Sequence, residues 1–150
     1  MNIEIDQSGK IENTSKNTII AFSNDIFASI FIKAKDKREI QKIFRKIGKP
    51  RIFSYKLFSI LIFLLIKKYL KEIGQIIIDE EYPGKSMLIK DYLLREIKKI
   101  QPNFSKKNTS FKTIGKKSKV HSIAYNTFKK KRKADIIVED KDILKFILSK

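Results

Sequence analysis

Two short apolar runs each close on a carboxylate. Ile3-Glu4-Ile5 leads to Asp6, followed by Gln7-Ser8-Gly9, and Ile76-Ile77-Ile78 leads to Asp79, followed by Glu80-Glu81. Aspartates at the ends of neighbouring strands can share a divalent cation, because hard ions such as Mg²⁺ and Mn²⁺ take oxygen ligands. The rest of the chain is strongly basic. It carries 34 Lys and Arg against 16 Asp and Glu in 150 residues, a formal net charge of +18. A chain that repels cations overall but keeps acids at strand ends is suited to hold a metal against a phosphate backbone.

Composition closes several other chemistries. There is no cysteine, which removes disulfides, thiolate catalysis and Cys-based zinc sites together. A single histidine, His121, excludes a His-rich metal site. No phosphate loop, dinucleotide fingerprint or nucleophile elbow is present. Pro83-Gly84-Lys85-Ser86 ends like a phosphate loop, but the position of that motif's first glycine is Asp79.

The hydrophobic fraction of 42% is enough for a core, and the length is that of one domain spanning 1–150. The N-terminus reads as a strand and not as a signal peptide. The longest apolar run, Leu57 to Ile66, is about half of the ~20 residues a membrane span needs, and Lys56, Lys67 and Lys68 bracket it. A buried helix in a cytoplasmic protein, with no membrane partner, is the expectation. Lysine far outnumbers arginine and isoleucine far outnumbers valine, the bias of an AT-rich coding sequence, so the placement of charge says more than its sum. From Ile97 to Ala134 there is no acid, while thirteen Lys or Arg fall in that window. Such a single-sign field attracts polyanions.

Period and turn residues set the elements. Alternation over residues 2–6 predicts a first strand closed by Asp6-Gln7-Ser8-Gly9. Thr18 to Ser23 and Phe27 to Lys33 predict two more in an antiparallel meander. Ile40, Ile43, Phe44 and Ile47 then fall at helical spacing, ended by Gly48 and Pro50. A more apolar helix is expected from about Phe53 to Glu72, and a strand buried on both faces from Gln75 to Asp79. A helix over about Ser86 to Ile100, a fifth strand over Ser110 to Ile114 and a helix capped by Ser118 follow. A last short helix begins near Glu139-Asp140, where acids suit the N-terminal dipole. The expected fold class is α/β, bordering on α+β, with a mixed five-stranded sheet flanked by helices.

The order β-β-β-α(α)-β-α-β-α, with carboxylates at the ends of the first and fourth strands, resembles the ribonuclease H-like superfamily. In that fold the two strands lie side by side and parallel at the sheet centre, and their terminal carboxylates bind metal. The resemblance spans nearly the whole chain and rests on element order and two acid positions. It implies two-metal phosphodiester hydrolysis with Mg²⁺ or Mn²⁺ as cofactor.

By that resemblance Asp6 takes the place of the first-strand aspartate; its other reading is the opening residue of a turn. Asp79 takes that of the fourth-strand carboxylate, with Glu80 next and Glu81 also competing, because one residue of register reverses the facing side chain. A third ligand from the first helix would be Glu39, whose alternative is an exposed acid beside Arg38 and Lys42. His121, early in the helix after strand five, resembles the histidine of Asp-Asp-His sites; its alternative is a partly buried structural histidine. Lys106, Lys107, Lys112, Lys116 and Lys117 would grip phosphates without reading bases, and the run Lys129, Lys130, Lys131, Arg132 and Lys133 would form a nonspecific clamp.

Two classes of function follow: a metal-dependent nuclease acting on RNA, an RNA–DNA hybrid or branched DNA, and a noncatalytic nucleic-acid-binding protein that uses only the basic surface. Charge serves both equally. The discriminator is whether Asp6 and Asp79 converge.

Overall fold

The computed structural model describes residues 1–24, 26–114, 119–128 and 133–148. Its strands are β1 (Asn2–Ser8), β2 (Thr18–Ser23), β3 (Phe27–Ile32), β4 (Gln75–Asp79), β5 (Thr109–Lys112) and β6 (Ile136–Val138). Its helices are α1 (Ala34–Lys46), α2 (Phe53–Ile66), α3 (Ser86–Ile100), α4 (Lys119–Phe128) and α5 (Asp140–Leu148). The architecture is mixed α/β.

The strands form one sheet in the order β5-β4-β1-β2-β3-β6. β1–β2 and β2–β3 pair antiparallel, as the short connections require, while β1–β4, β4–β5 and β3–β6 pair parallel. Six strands replace the five expected. The added β6 is only three residues long, below the length at which alternation or an apolar run marks a strand. Its partner β3 lies about a hundred positions earlier in the chain. Boundaries differ as well: β1 runs to Ser8, two residues past the expected end at Asp6. β5 spans Thr109–Lys112 in place of Ser110 to Ile114, and α2 stops at Ile66, giving way to a 3₁₀ turn over Lys67–Tyr69.

Side-chain alternation divides the sheet into two unequal faces. Ile3 and Ile5 of β1, Ile20 and Phe22 of β2, Ile30 and Ile32 of β3, and Ile76 and Ile78 of β4 point to one side. There they join Ile40 and Phe44 of α1, Leu57, Leu61 and Ile62 of α2, Ile89 and Leu93 of α3, and Ile143 and Ile147 of α5 in the main core. The apolar character of α2 has its cause here, because it is packed on nearly all sides, with ten of its residues buried. No helix among the described residues is long and apolar enough to cross a membrane.

The other face is covered by α4. Val120, Ile123 and Ala124 close on Ala21 of β2, with Ile114 at the margin. Asp6 on β1 and Asp79 on β4 have the parity of this second face, opposite to Ile5 and Ile78.

Candidate metal centre and its surroundings

The parallel register aligns Ile5 with Ile78, so Asp6 and Asp79 come next, side by side where the β1–β4 pairing ends; β4 stops at Asp79, while β1 runs on to Ser8 against β2. Adjacent strands lie about 4.8 Å apart, which brings the two carboxylates within reach of one ion. Glu81 completes a group. One oxygen from each of Asp6, Asp79 and Glu81 lies within 4.8 Å of the others. The chain turns immediately after β4, with Glu81 N donating to Asp79 O at 2.9 Å, and this turn folds Glu81 back over the strand ends.

Each aspartate is held by named partners. Asp6 is buried; its Oδ1 accepts from Gln7 N at 2.8 Å, and its Oδ2 meets His121 Nδ1 at 2.9 Å. Asp79 Oδ1 accepts from Ile114 N at 2.7 Å, which ties the segment after β5 to the end of β4. His121 lies in the first turn of α4, and its ring stacks on Tyr125 one turn later, with centroids 6.4 Å apart and planes at 19°. With Asp6 ionised, Nδ1 carries the proton and donates, so Nε2 is left as the acceptor nitrogen.

Crowding and burial raise the proton affinity of Asp6 and Glu81. Burial pushes Asp6 above the usual carboxylate range and the charge of Asp79 adds to the rise, while the His121 hydrogen bond pulls against it. Glu81 is pushed up to about 8, first by burial, then by hydrogen bonding to and repulsion from Asp79, with Asp6 adding to it. Without a cation the cluster therefore keeps a proton near neutrality. The donor set suits a hard divalent ion: all ligands are oxygens, and the ion would cancel the repulsion the acids now bear. A further buried oxygen stands beside them. Gln7 is 6% exposed, its Nε2 donates to the Tyr82 hydroxyl at 3.3 Å, and its Oε1 has no hydrogen-bond partner.

The structure thus brings Asp6 together with Asp79 and with His121. Glu80 is not part of the group. It is exposed, and its backbone N–H donates to Lys112 O at 3.0 Å, so Glu81 takes the place assigned to Glu80. No local signal marked this, because the strand ends at Asp79 and the turn that follows sets where Glu81 lies. Glu39 also stands apart. It pairs with Lys42 at 3.1 Å on α1, which packs on the face opposite Asp6.

The basic residues divide as well. Lys112 pairs in register with Asp79 and is exposed beside it. Lys106 and Lys107 precede β5, at the opposite end of the sheet from Asp79, and Lys106 lies 3.4 Å from Asp91. Lys133 is exposed ahead of β6, at the far edge of the sheet. Lys116, Lys117, Lys129, Lys130, Lys131 and Arg132 lie outside the described residues. No protein-family model, curated protein or solved structure matches the chain.

Proposed function

We propose that this chain is a metal-dependent nuclease of ribonuclease H-like fold, hydrolysing phosphodiester bonds in RNA, an RNA–DNA hybrid or branched DNA. One observation carries the reading. Asp6 and Asp79 lie side by side on two adjacent, parallel, central strands where their pairing ends, with Glu81 close enough to share an ion and His121 bonded to Asp6.

Asp6, Asp79 and Glu81 are the residues that would hold Mg²⁺ or Mn²⁺. When bound, such ions lower the pKa of a water nucleophile and stabilise the leaving oxygen. His121 fixes the Asp6 carboxylate through Nδ1 and presents Nε2 as a site where a proton is held or passed on. Lys112, beside Asp79 and exposed, offers an ammonium to a backbone phosphate without reading sequence.

The test is a Mn²⁺ titration of the wild type and Asp6→Asn, with cleavage followed on single-stranded RNA, an RNA–DNA hybrid and a four-way DNA junction. Metal-dependent cleavage that disappears in Asp6→Asn is the expected result, and the substrate cut names the class. Salt-sensitive binding with no metal uptake and no cleavage would leave a noncatalytic nucleic-acid-binding protein.

A further inference from the structure

A second cationic region lies outside the acid cluster and outside the basic stretch of residues 97–134. The turn between α1 and α2 and the exposed side of α3 enclose an open cavity of about 530 Å³, lined by Gly48, Lys49, Pro50, Arg51, Ile52 and Tyr92. Lys56, on the first turns of α2, places its ammonium 5.6 Å from the centre of the Tyr92 ring. Arg95 is exposed one helical step from Tyr92.

Like charges converge here without acids to match. Lys56 is half-buried; burial lowers its pKa, and Arg95 and Lys49 lower it further. Glu96 is the acid near them, and it is paired with Lys99 at 3.1 Å. Among the described residues Lys49, Arg51, Lys56 and Arg95 form no salt bridge. A cluster of this kind, kept at the cost of mutual repulsion, is stabilised by an external anion.

The region lies at the same end of the sheet as the acid cluster, on the opposite face. Gln7, beside Asp6, donates to Tyr82. The Tyr82 ring packs edge-on against Tyr55 of α2 at 5.6 Å, and Lys85 sits 5.7 Å from the Tyr55 ring. The cations thus run from the loop after β4 along the start of α2 to the cavity. A row of this kind suits a polyanion better than a single phosphate.

We propose that Lys49, Arg51, Lys56 and Arg95 form a phosphate-backbone site that seats a nucleic-acid duplex running outward from the acid cluster. The proposal deepens the nuclease reading and rests on it for the choice of nucleic acid as the partner. The site grips without base readout, since its groups are cations around an aromatic ring and not paired donors and acceptors.

The test compares wild type with Lys49→Gln/Arg51→Gln/Arg95→Gln, all exposed positions, for binding to a labelled DNA duplex in EDTA over a range of salt. A control variant, Lys67→Gln/Lys68→Gln/Lys71→Gln, removes the same charge at the other end of α2, about 20 Å away. Each lost phosphate contact lowers the log–log salt slope by about 1, so the first triple variant loses about 3 and binds roughly tenfold or more weakly at low salt. The control keeps its slope. An unchanged slope in the first variant, or an equal loss in the control, overturns the site. Loss of slope in the first variant, alongside a wild type that neither cleaves nor takes up Mn²⁺, would retain the site and reject the nuclease.

Discussion

The Nδ1 atom of His121 lies 2.9 Å from Oδ2 of Asp6, joining the first turn of α4 to β1 across 115 positions of chain. The contact makes α4 more than a cover for the sheet. It fixes the orientation of the most buried acid in the cluster, and it offsets part of the rise in proton affinity that burial imposes on that acid.

Removal of this partner has a defined consequence. His121→Ala raises the proton affinity of Asp6 further, so a cation must displace a more tightly held proton. Mn²⁺ affinity falls about 10- to 100-fold, the range for lost partners of metal ligands, and falls more at pH 6 than at pH 8. Calorimetric titration at the two values checks this. A loss no larger at pH 6 than at pH 8 would show that His121 does not act through the proton affinity of Asp6.

Glu80 and Glu81 are adjacent and chemically alike, yet the structure assigns them different roles. Glu81→Gln weakens Mn²⁺ binding at least tenfold, whereas Glu80→Gln, at an exposed position, leaves it within about twofold. Parallel titrations of the two variants decide it. Equal effects would mean that the turn after β4 rearranges when the ion enters.

The acid cluster also makes stability depend on pH in a way that metal reverses. Glu81 titrates at about 8 in the folded chain against 4.5 in the unfolded one, so the folded state binds more protons between those values. Stability without divalent ions therefore falls as pH rises from about 4.5 to about 8. Mn²⁺ replaces the proton, so its stabilising effect grows over the same interval. Thermal unfolding in EDTA and in Mn²⁺ across that range measures both slopes. A metal effect that does not grow with pH would contradict the assignment of Glu81.

Lys37 presents the opposite case. Its side chain is fully buried, with Glu12 acting on it through charge but not within salt-bridge distance, and Nζ donates to Lys10 O, Asn13 O and Thr18 Oγ1 at 3.1, 2.8 and 2.9 Å. Burial lowers its pKa to about 8 from 10.5, so the unfolded chain binds more protons between those values. Stability contributed by this residue rises as pH increases through that window, by on the order of 3 kcal/mol. Lys10 O and Asn13 O each keep a backbone donor, from Asn13 N and Lys16 N. Lys37→Met consequently changes stability at pH 7 by less than about 1 kcal/mol and abolishes the alkaline rise. Lys37→Ala costs about 2–5 kcal/mol through the cavity it leaves. Urea unfolding of the three proteins at pH 7 and pH 10 separates these outcomes.

Much of this protein was legible in its sequence because the signals are local. Alternation in Ile3-Glu4-Ile5-Asp6, the isoleucine run before Asp79 and the helical spacing of Ile40, Phe44, Ile89 and Leu93 report burial within a few residues of chain. These signals were sufficient for the α/β class and for two strand-end aspartates. What they could not carry is pairing between distant segments. β6 is three residues long and is a strand only because β3 offers it an edge. Glu81 and not Glu80 joins the aspartates because the chain turns back at that point, and Glu39 is excluded because α1 packs on the opposite face. Lys37 reads as a surface lysine in a charged helix start, yet the loop between β1 and β2 closes over it. Sequence alone determined which segments alternate and which follow a helical period, but not the residue at which β1, β5 and α2 end. Tertiary structure decided which strands pair, and so which carboxylates meet, and which face α4 covers, and so where His121 reaches Asp6, because both depend on contacts between residues far apart in the chain.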